Sequence, residues 1–579
     1  MTQSTTDPTP TKSGIPFRSG DFASLPEALD YAATGTTGIN VYSGRGALAE
    51  RLPYTDLRDQ ARDLARRLIG AGLAPGERVA LLAETDGDFV RAFMACQYAG
   101  LVPAPMPLPA AFGGRATYLA HLRRMIQSAD ATAAFAPTSF RDWLAEAVDG
   151  LDLAFAGTVS DLADREAEGD LPQVGPDDIA YLQFSSGSTR FPVGVAVTQR
   201  ALRANVEAIS RHGLEMRAGD RCTSWLPMYH DMGLVGFLLV PLMTQVSLDL
   251  MATRDFARRP FLWLKLITEN GGTLSFSPNF GYELCLRRAK SAPLDGIDLS
   301  SWRAAGLGGD MIRPSVLEDF ARVFGTAGFR REAFVPSYGM AEATLALSFQ
   351  PLNTGPMADE LDLDRLENDR LAVAPSPDTK RSRAFAQCGP ILPGHEIAVL
   401  DEDDAPLPDL HVGRVRVRGP SLMKHYYGQP EQTAAALSDD GWLETGDLGY
   451  LRDGALVITG RAKDLIIVNG RNIWPQDLEW SAEHGVEALR AGDAAAVARD
   501  DDGGEERVVM LIQCRSADAD ARAALAADVA AVLAADHSVE AEVVLVPHNA
   551  LPHTSSGKLS RSKSRKMLLD GAFDPTPAG

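Results

Sequence analysis

Between the strand-like runs Tyr181-Leu182-Gln183-Phe184 and Val193-Gly194-Val195-Ala196-Val197-Thr198 lies the loop Ser185-Ser186-Gly187-Ser188-Thr189-Arg190-Phe191-Pro192. Its small hydroxylated residues and its glycine leave nothing bulky between a phosphate chain and the backbone N–H groups. No Gly-Lys-Ser/Thr follows and the loop holds no lysine, which excludes a Walker-type nucleotide loop. A phosphate cradle without a lysine must draw its positive charge from elsewhere in the chain.

The flanking pattern sets the fold class. From Tyr54, the run YTDLRDQARDLARRLIGAGL puts Leu57, Ala61, Leu64 and Leu68 on one helical face, and Gly70 and Gly72 punctuate its end. ERVALLAE then reads as a short buried strand and DFVRAFMACQYAG as another helix. This alternation continues along most of the chain and predicts an α/β fold. The Pro-rich run VPAPMPLPAAFGG is expected to be a rigid extended connection.

At 579 residues the chain is expected to hold at least two domains. Residues 1–13, rich in Ser, Thr and Pro, are expected to form a disordered tail before a main domain over 14–460. Composition changes near Arg461-Ala462-Lys463-Asp464, predicting a smaller α/β body over 461–579. The acidic, poorly periodic segment 351–383 is long for a plain connection and reads as a functional insertion or a mobile loop.

Fifty-six Lys and Arg against 77 Asp and Glu give a net charge of −21, which argues against a general nucleic-acid binder. Five scattered cysteines without a CxxC point to reduced thiols rather than a disulfide frame or zinc site. The polar N-terminus lacks the apolar core of a signal peptide, and no run reaches the length of a membrane span. The expected location is cytoplasmic.

Further motifs follow in order. Leu226-Pro227-Met228-Tyr229-His230-Asp231-Met232-Gly233 sets an imidazole among apolar side chains, and Ser337-Tyr338-Gly339-Met340-Ala341-Glu342 places a carboxylate after a tight turn. Thr445-Gly446-Asp447, Gly460-Arg461 and Thr554-Ser555-Ser556-Gly557-Lys558 complete the set. Each alone reads as an ordinary turn, loop or core histidine.

In order and approximate spacing, from about Tyr54 to Leu568, these motifs together resemble the adenylate-forming superfamily of acyl-CoA synthetases, luciferases and peptide-synthetase adenylation domains. LPMYHDMGL, SPNFGYELC and GRAKDLIIVNGRNIWPQDLE look like the fatty-acyl-AMP ligases of that superfamily. So does the loop itself, where Arg190 follows Ser188-Thr189 and Val193 stands where most members carry a lysine. Two departures are Gln199 after Thr198, where histidine is common, and Asp310 in Gly308-Gly309-Asp310, where glutamate is usual.

The resemblance implies a large N-terminal domain of layered α/β subdomains with a small β subdomain, and a small mobile C-terminal α+β domain. It implies ATP and Mg²⁺, a medium- to long-chain fatty acid, and a separate holo acyl carrier protein as acceptor, with long-chain acyl-CoA synthesis as the alternative. Ser185, Ser186, Gly187, Ser188 and Thr189 would hold phosphates, Glu342 the Mg²⁺, and Asp447 and Arg461 the ribose and phosphate. Gly308, Gly309, Asp310, Tyr338, Gly339 and Met340 would wall the adenine. Lys558 would bridge the acyl carboxylate and the α-phosphate, and Lys463 would mark the hinge. His230, Asp231, Met232 and Phe280 would line the acyl site, with Met311 beside them. The basic cluster Arg561, Lys563, Arg565 and Lys566 reads equally as a carrier-protein dock or a solvated helix face.

Overall fold

The computed structural model describes residues 7–109, 114–185, 192–468, 471–500, 506–537, 539–553 and 559–573. The helix Tyr54–Gly70 buries Leu57, Ala61, Leu64 and Leu68, as its periodicity predicts. Strand Arg78–Leu82 and helix Gly87–Tyr98 follow, the latter capped by Asp86, which accepts the Phe89 N–H at 2.9 Å.

The Pro-rich run departs from expectation. Its first part is the buried strand Val102–Met106, paired in parallel with Arg78–Leu82 at one edge of a four-stranded sheet. Pro103 and Pro105 are two residues apart, so their missing donors fall on the same side of an edge strand, where no ladder bond is lost.

Among the described residues, an eight-stranded sheet forms the centre of the molecule. Its order is Ala346–Phe349, Phe334–Gly339, Ala304–Leu307, Leu274–Phe276, Arg221–Ser224, Ser247–Met251, Gly38–Tyr42 and Leu48–Pro53. All neighbours run parallel except the antiparallel strand at each end. In such sheets ligands bind beyond the carboxyl ends of the strands, and Gly308 and Met340 follow directly on two of them. One face packs an aromatic layer of Trp225, Trp263, Tyr282, Trp302 and Phe320.

One expectation is corrected. Residues 7–13, read as part of a disordered tail, are tied down. Thr9 is 1% exposed; its N–H bonds Asn40 Oδ1 at 2.8 Å and its carbonyl accepts from Arg221 Nη1 at 2.8 Å. The buried Arg221–Asp249 pair (2.6 Å) leaves guanidinium N–H groups that need an acceptor, and this segment supplies one. Residues 351–383, for which the sequence left a functional insertion or a mobile loop open, hold the strand Ala358–Asp362 and the helix Leu363–Asp369. Leu361, Leu363 and Leu366 are buried, and the strand edges a six-stranded antiparallel sheet beside Ser382–Pro390.

Beyond residue 461 come the hairpin Ile466–Val468 and Arg471–Ile473, the helix Pro475–Gly485 and a sheet of Ala494–Asp500, Glu506–Cys514 and Ala541–Pro547. Helices Ala519–His537 and Arg561–Leu569 cover it. Leu478, Ile512, Val529 and Leu533 form a core of their own there, whereas Trp474 packs back on Tyr450 and Val457. No helix among the described residues is long and apolar enough to cross a membrane.

Candidate active site

A cavity of about 1210 Å³ opens beyond the carboxyl ends of the parallel strands. Strand Ala304–Leu307 delivers Gly308, Gly309 and Asp310, with Met311 next in the chain. Strand Phe334–Gly339 delivers Tyr338 and Gly339, followed by Met340 and the short turn carrying Glu342. The six-stranded sheet adds Asp447 and Arg461, which are paired across Leu443–Arg452 and Ala455–Arg461. His230, Asp231, Met232, Phe280 and Lys463 complete the wall.

Thus every expected site residue from His230 to Lys463 faces one space. Ser186, Gly187, Ser188, Thr189 and Lys558 lie outside the described residues, as does Arg190, and Ser185 ends the strand Ile179–Ser185. Phe184 and Val193 on one side, and His553 and Leu559 on the other, flank those segments and line the same cavity.

The charged part of the cavity is held by short contacts. The Tyr338 hydroxyl donates to Asp447 Oδ2 at 2.7 Å, and Arg461 Nε lies 3.2 Å from Asp447 Oδ1. That carboxylate holds the Arg461 guanidinium above its usual range, and burial raises the Tyr338 phenol. Glu342 is 8% exposed; burial raises its carboxyl, while the Tyr426 hydroxyl donates to Oε1 at 2.9 Å. The sequence reading missed Tyr426, since nothing in His425-Tyr426-Tyr427 marks a carboxylate partner.

Backbone shape is equally constrained. A Cβ at Gly339 would lie 1.8 Å from the Leu345 carbonyl oxygen, so only glycine fits that close approach. Thr344, at φ 69°, closes the turn after Glu342 and donates its hydroxyl to the Ser421 carbonyl at 2.7 Å. At the acyl side, His230 Nδ1 sits 2.6 Å from Asp231 Oδ1, which also accepts the Met232 N–H at 2.7 Å. Gln183 donates to the Tyr229 carbonyl at 2.6 Å and pins this turn to the strand that leads into the opening loop.

From the charged mouth the cavity continues beneath the sheet. Cys222, Leu274 and Phe276 form its sheet side; Ile209, Leu214, Met216, Phe237 and Val240 cover it. A Cβ at Gly306 would meet the Phe276 ring at 2.1 Å, so this glycine makes room for a mid-cavity wall. Two π-helical turns, Ile209–Gly213 and Val235–Leu239, contribute to the cover, a conformation frequent at functional sites. Sequence reasoning missed these apolar residues because their pattern is that of an ordinary core. In the terminal basic cluster, Arg561 pairs with Glu479 (2.6 Å) and Asp464 (3.0 Å), and Arg565 donates to the Ala498 carbonyl at 2.8 Å. Those two cations are used within their own body.

Residues 33–427 match the AMP-binding enzyme family, and the chain belongs to that family of ATP-using, adenylate-forming enzymes. Its branch is that of the fatty-acyl-AMP ligases. A solved structure from a study of fatty acyl-adenylate ligases of E. coli and L. pneumophila superposes with a TM-score of 0.92 at 43% identity, covering 96% of this chain and 100% of that one. The medium-chain fatty acid–acyl carrier protein ligase JamA of Moorena producens is 32% identical, with 96% of each chain covered. A Caulobacter vibrioides protein provisionally named an acyl-CoA synthetase is 55% identical, with 98% of each chain covered.

Proposed function

We propose that this enzyme condenses a fatty acid with ATP to give acyl-AMP and pyrophosphate, then passes the acyl group to the phosphopantetheine thiol of a separate acyl carrier protein. The observation that carries the reading is one cavity with two chemistries: Asp447, Arg461, Glu342 and Lys463 at the mouth, and buried apolar side chains beneath. A nucleotide and an acyl chain meet where these halves join.

In the first half-reaction a carboxylate oxygen attacks the α-phosphorus and the bond to pyrophosphate breaks. Both reactants are anionic, so positioning and charge neutralisation do most of the work. Asp447 accepts the ribose hydroxyls, held in place by Tyr338, while Arg461 faces the ribose and phosphate. Lys558, carried by the terminal body 461–579, supplies the charge that the opening loop lacks. Glu342 fits Mg²⁺: Tyr426 engages one of its oxygens, and this ion ordinarily takes one or two carboxylates together with substrate phosphates. The Asp231 carboxylate orients His230 toward the acyl carboxylate. In the second half-reaction the thiol attacks the acyl carbonyl and AMP leaves, after the terminal body turns about Lys463 and withdraws Lys558.

The name of the Caulobacter relative favours a second reading, in which coenzyme A is the acceptor. Purified enzyme given ATP, Mg²⁺ and fatty acids, then either coenzyme A or holo carrier protein, separates the two. Carrier acylation well ahead of acyl-CoA formation is expected. Comparable rates would overturn the carrier reading, and absence of pyrophosphate release would overturn both.

A further inference from the structure

The depth of the apolar half follows from strand register. Leu274 pairs with both Ala304 and Cys222, so these three residues share one level across the sheet. Leu274 and Cys222 are also the deepest sheet residues lining the cavity, whereas Gly308, four positions beyond Ala304, lines its mouth. At about 3.3 Å per strand residue, roughly 13 Å separates the two levels.

The covering helices end at the same depth. Leu214 lines the same cavity as Cys222, and Arg303, the residue before Ala304, donates to the Leu214 carbonyl at 2.9 Å. Arg303 also grips Asp220, 1% exposed, at 2.6 and 2.8 Å. Met216 is drawn back by its N–H to the Ser210 carbonyl at 2.7 Å and lines the cavity beside Leu214. The bidentate Arg303–Asp220 pair, its carboxylate buried and its guanidinium part-buried, ties the backbone at Leu214 to the strand that begins at Ala304.

We infer that Leu214, Met216 and Cys222 form a closed floor that limits the acyl chain to medium length, about ten to twelve carbons. An extended chain advances about 1.2 Å per bond, taking 3.3–3.6 Å for the three backbone bonds of a residue, so about eleven bonds fill roughly 13 Å. The floor selects because each added methylene gains burial until the chain touches it, and a longer chain then finds no space in a close-packed interior. This inference rests on the fatty-acid reading above.

The test is ATP–pyrophosphate exchange with straight-chain acids from six to eighteen carbons. In the unaltered enzyme kcat/KM rises about fourfold per carbon, peaks at ten to twelve, and falls at least tenfold by sixteen. Met216→Ala moves the peak about two carbons longer, and Leu214→Ala does the same. A peak at sixteen to eighteen carbons, a flat profile, or an unmoved peak in both variants would overturn the floor while leaving the fatty-acid reading intact. No exchange with any acid would overturn that reading and the floor with it.

Discussion

The two halves of the cavity are built in opposite ways. The apolar half is drawn from one sheet and its covering helices, buried side chain against buried side chain, with the Arg303–Asp220 ion pair tying the backbone at Leu214 to the sheet. The charged half is assembled from separate pieces: strand ends of the central sheet, the six-stranded sheet and residues beyond Arg461. On the proposed function, selection belongs to the half drawn from one sheet, and chemistry to the half assembled from separate pieces. Mutations in the two halves should therefore separate cleanly.

The largest expected effect lies in the assembled half. Lys558→Ala should lower ATP–pyrophosphate exchange by about a hundredfold or more, comparable with losing one preorganised donor to the transition state. Unaltered exchange would mean that the mouth gets its charge elsewhere. Asp447→Asn should follow, because hydrogen bonds to a charged group are worth about 1.5–3 kcal/mol, or roughly 10- to 100-fold in kcat/KM for ATP. Its profile across acids of different length should keep its shape.

Gly306→Ala reverses that pattern. The new methyl collides with the Phe276 ring, which must swing into the acyl path. The KM for a medium-chain acid should rise about tenfold, while the KM for ATP stays within about twofold. Equal changes in both would show that the halves are not independent.

The smallest effect concerns stability. Glu483, on the terminal body, lines the cavity, and burial pushes its carboxyl up to about 7. A folded pKa above the unfolded one means that stability present at low pH is lost as pH rises from about 4.5 to 7. Glu483→Gln keeps an acceptor for the Gly492 N–H and removes the buried charge. The variant should melt higher than the unaltered protein at pH 8, by on the order of 1 kcal/mol or more, and show little difference at pH 4.5.

How much of this was written in the sequence depends on what kind of residue carried it. The charged half was legible only from motifs taken together: Asp447, Arg461, Glu342 and Tyr338 stand in short motifs that are ordinary singly but resemble a family in their order, and the fold brings them to one cavity. The apolar half was not. Cys222, Leu274 and Leu214 lie far apart in the chain and look like any core residues; only strand register shows them sharing a level. Helix Tyr54–Gly70 was readable because one face stays apolar for four turns. Strand Val102–Met106 was not, because the pairing partner, rather than Pro103 and Pro105, decides its state.

The segment around Thr9 carries a consequence for how the chain assembles. Its hydroxyl meets Ser247 Oγ at 2.9 Å, 238 residues away, and its carbonyl needs Arg221. On an emerging polypeptide these partners arrive only after the segment has long been made. Its bonds to Ser247 and Arg221 can therefore form only once the central strands are in place, so that part of the segment docks late across the sheet. A fusion that stiffens or blocks this stretch would slow that docking while leaving every cavity-lining side chain untouched.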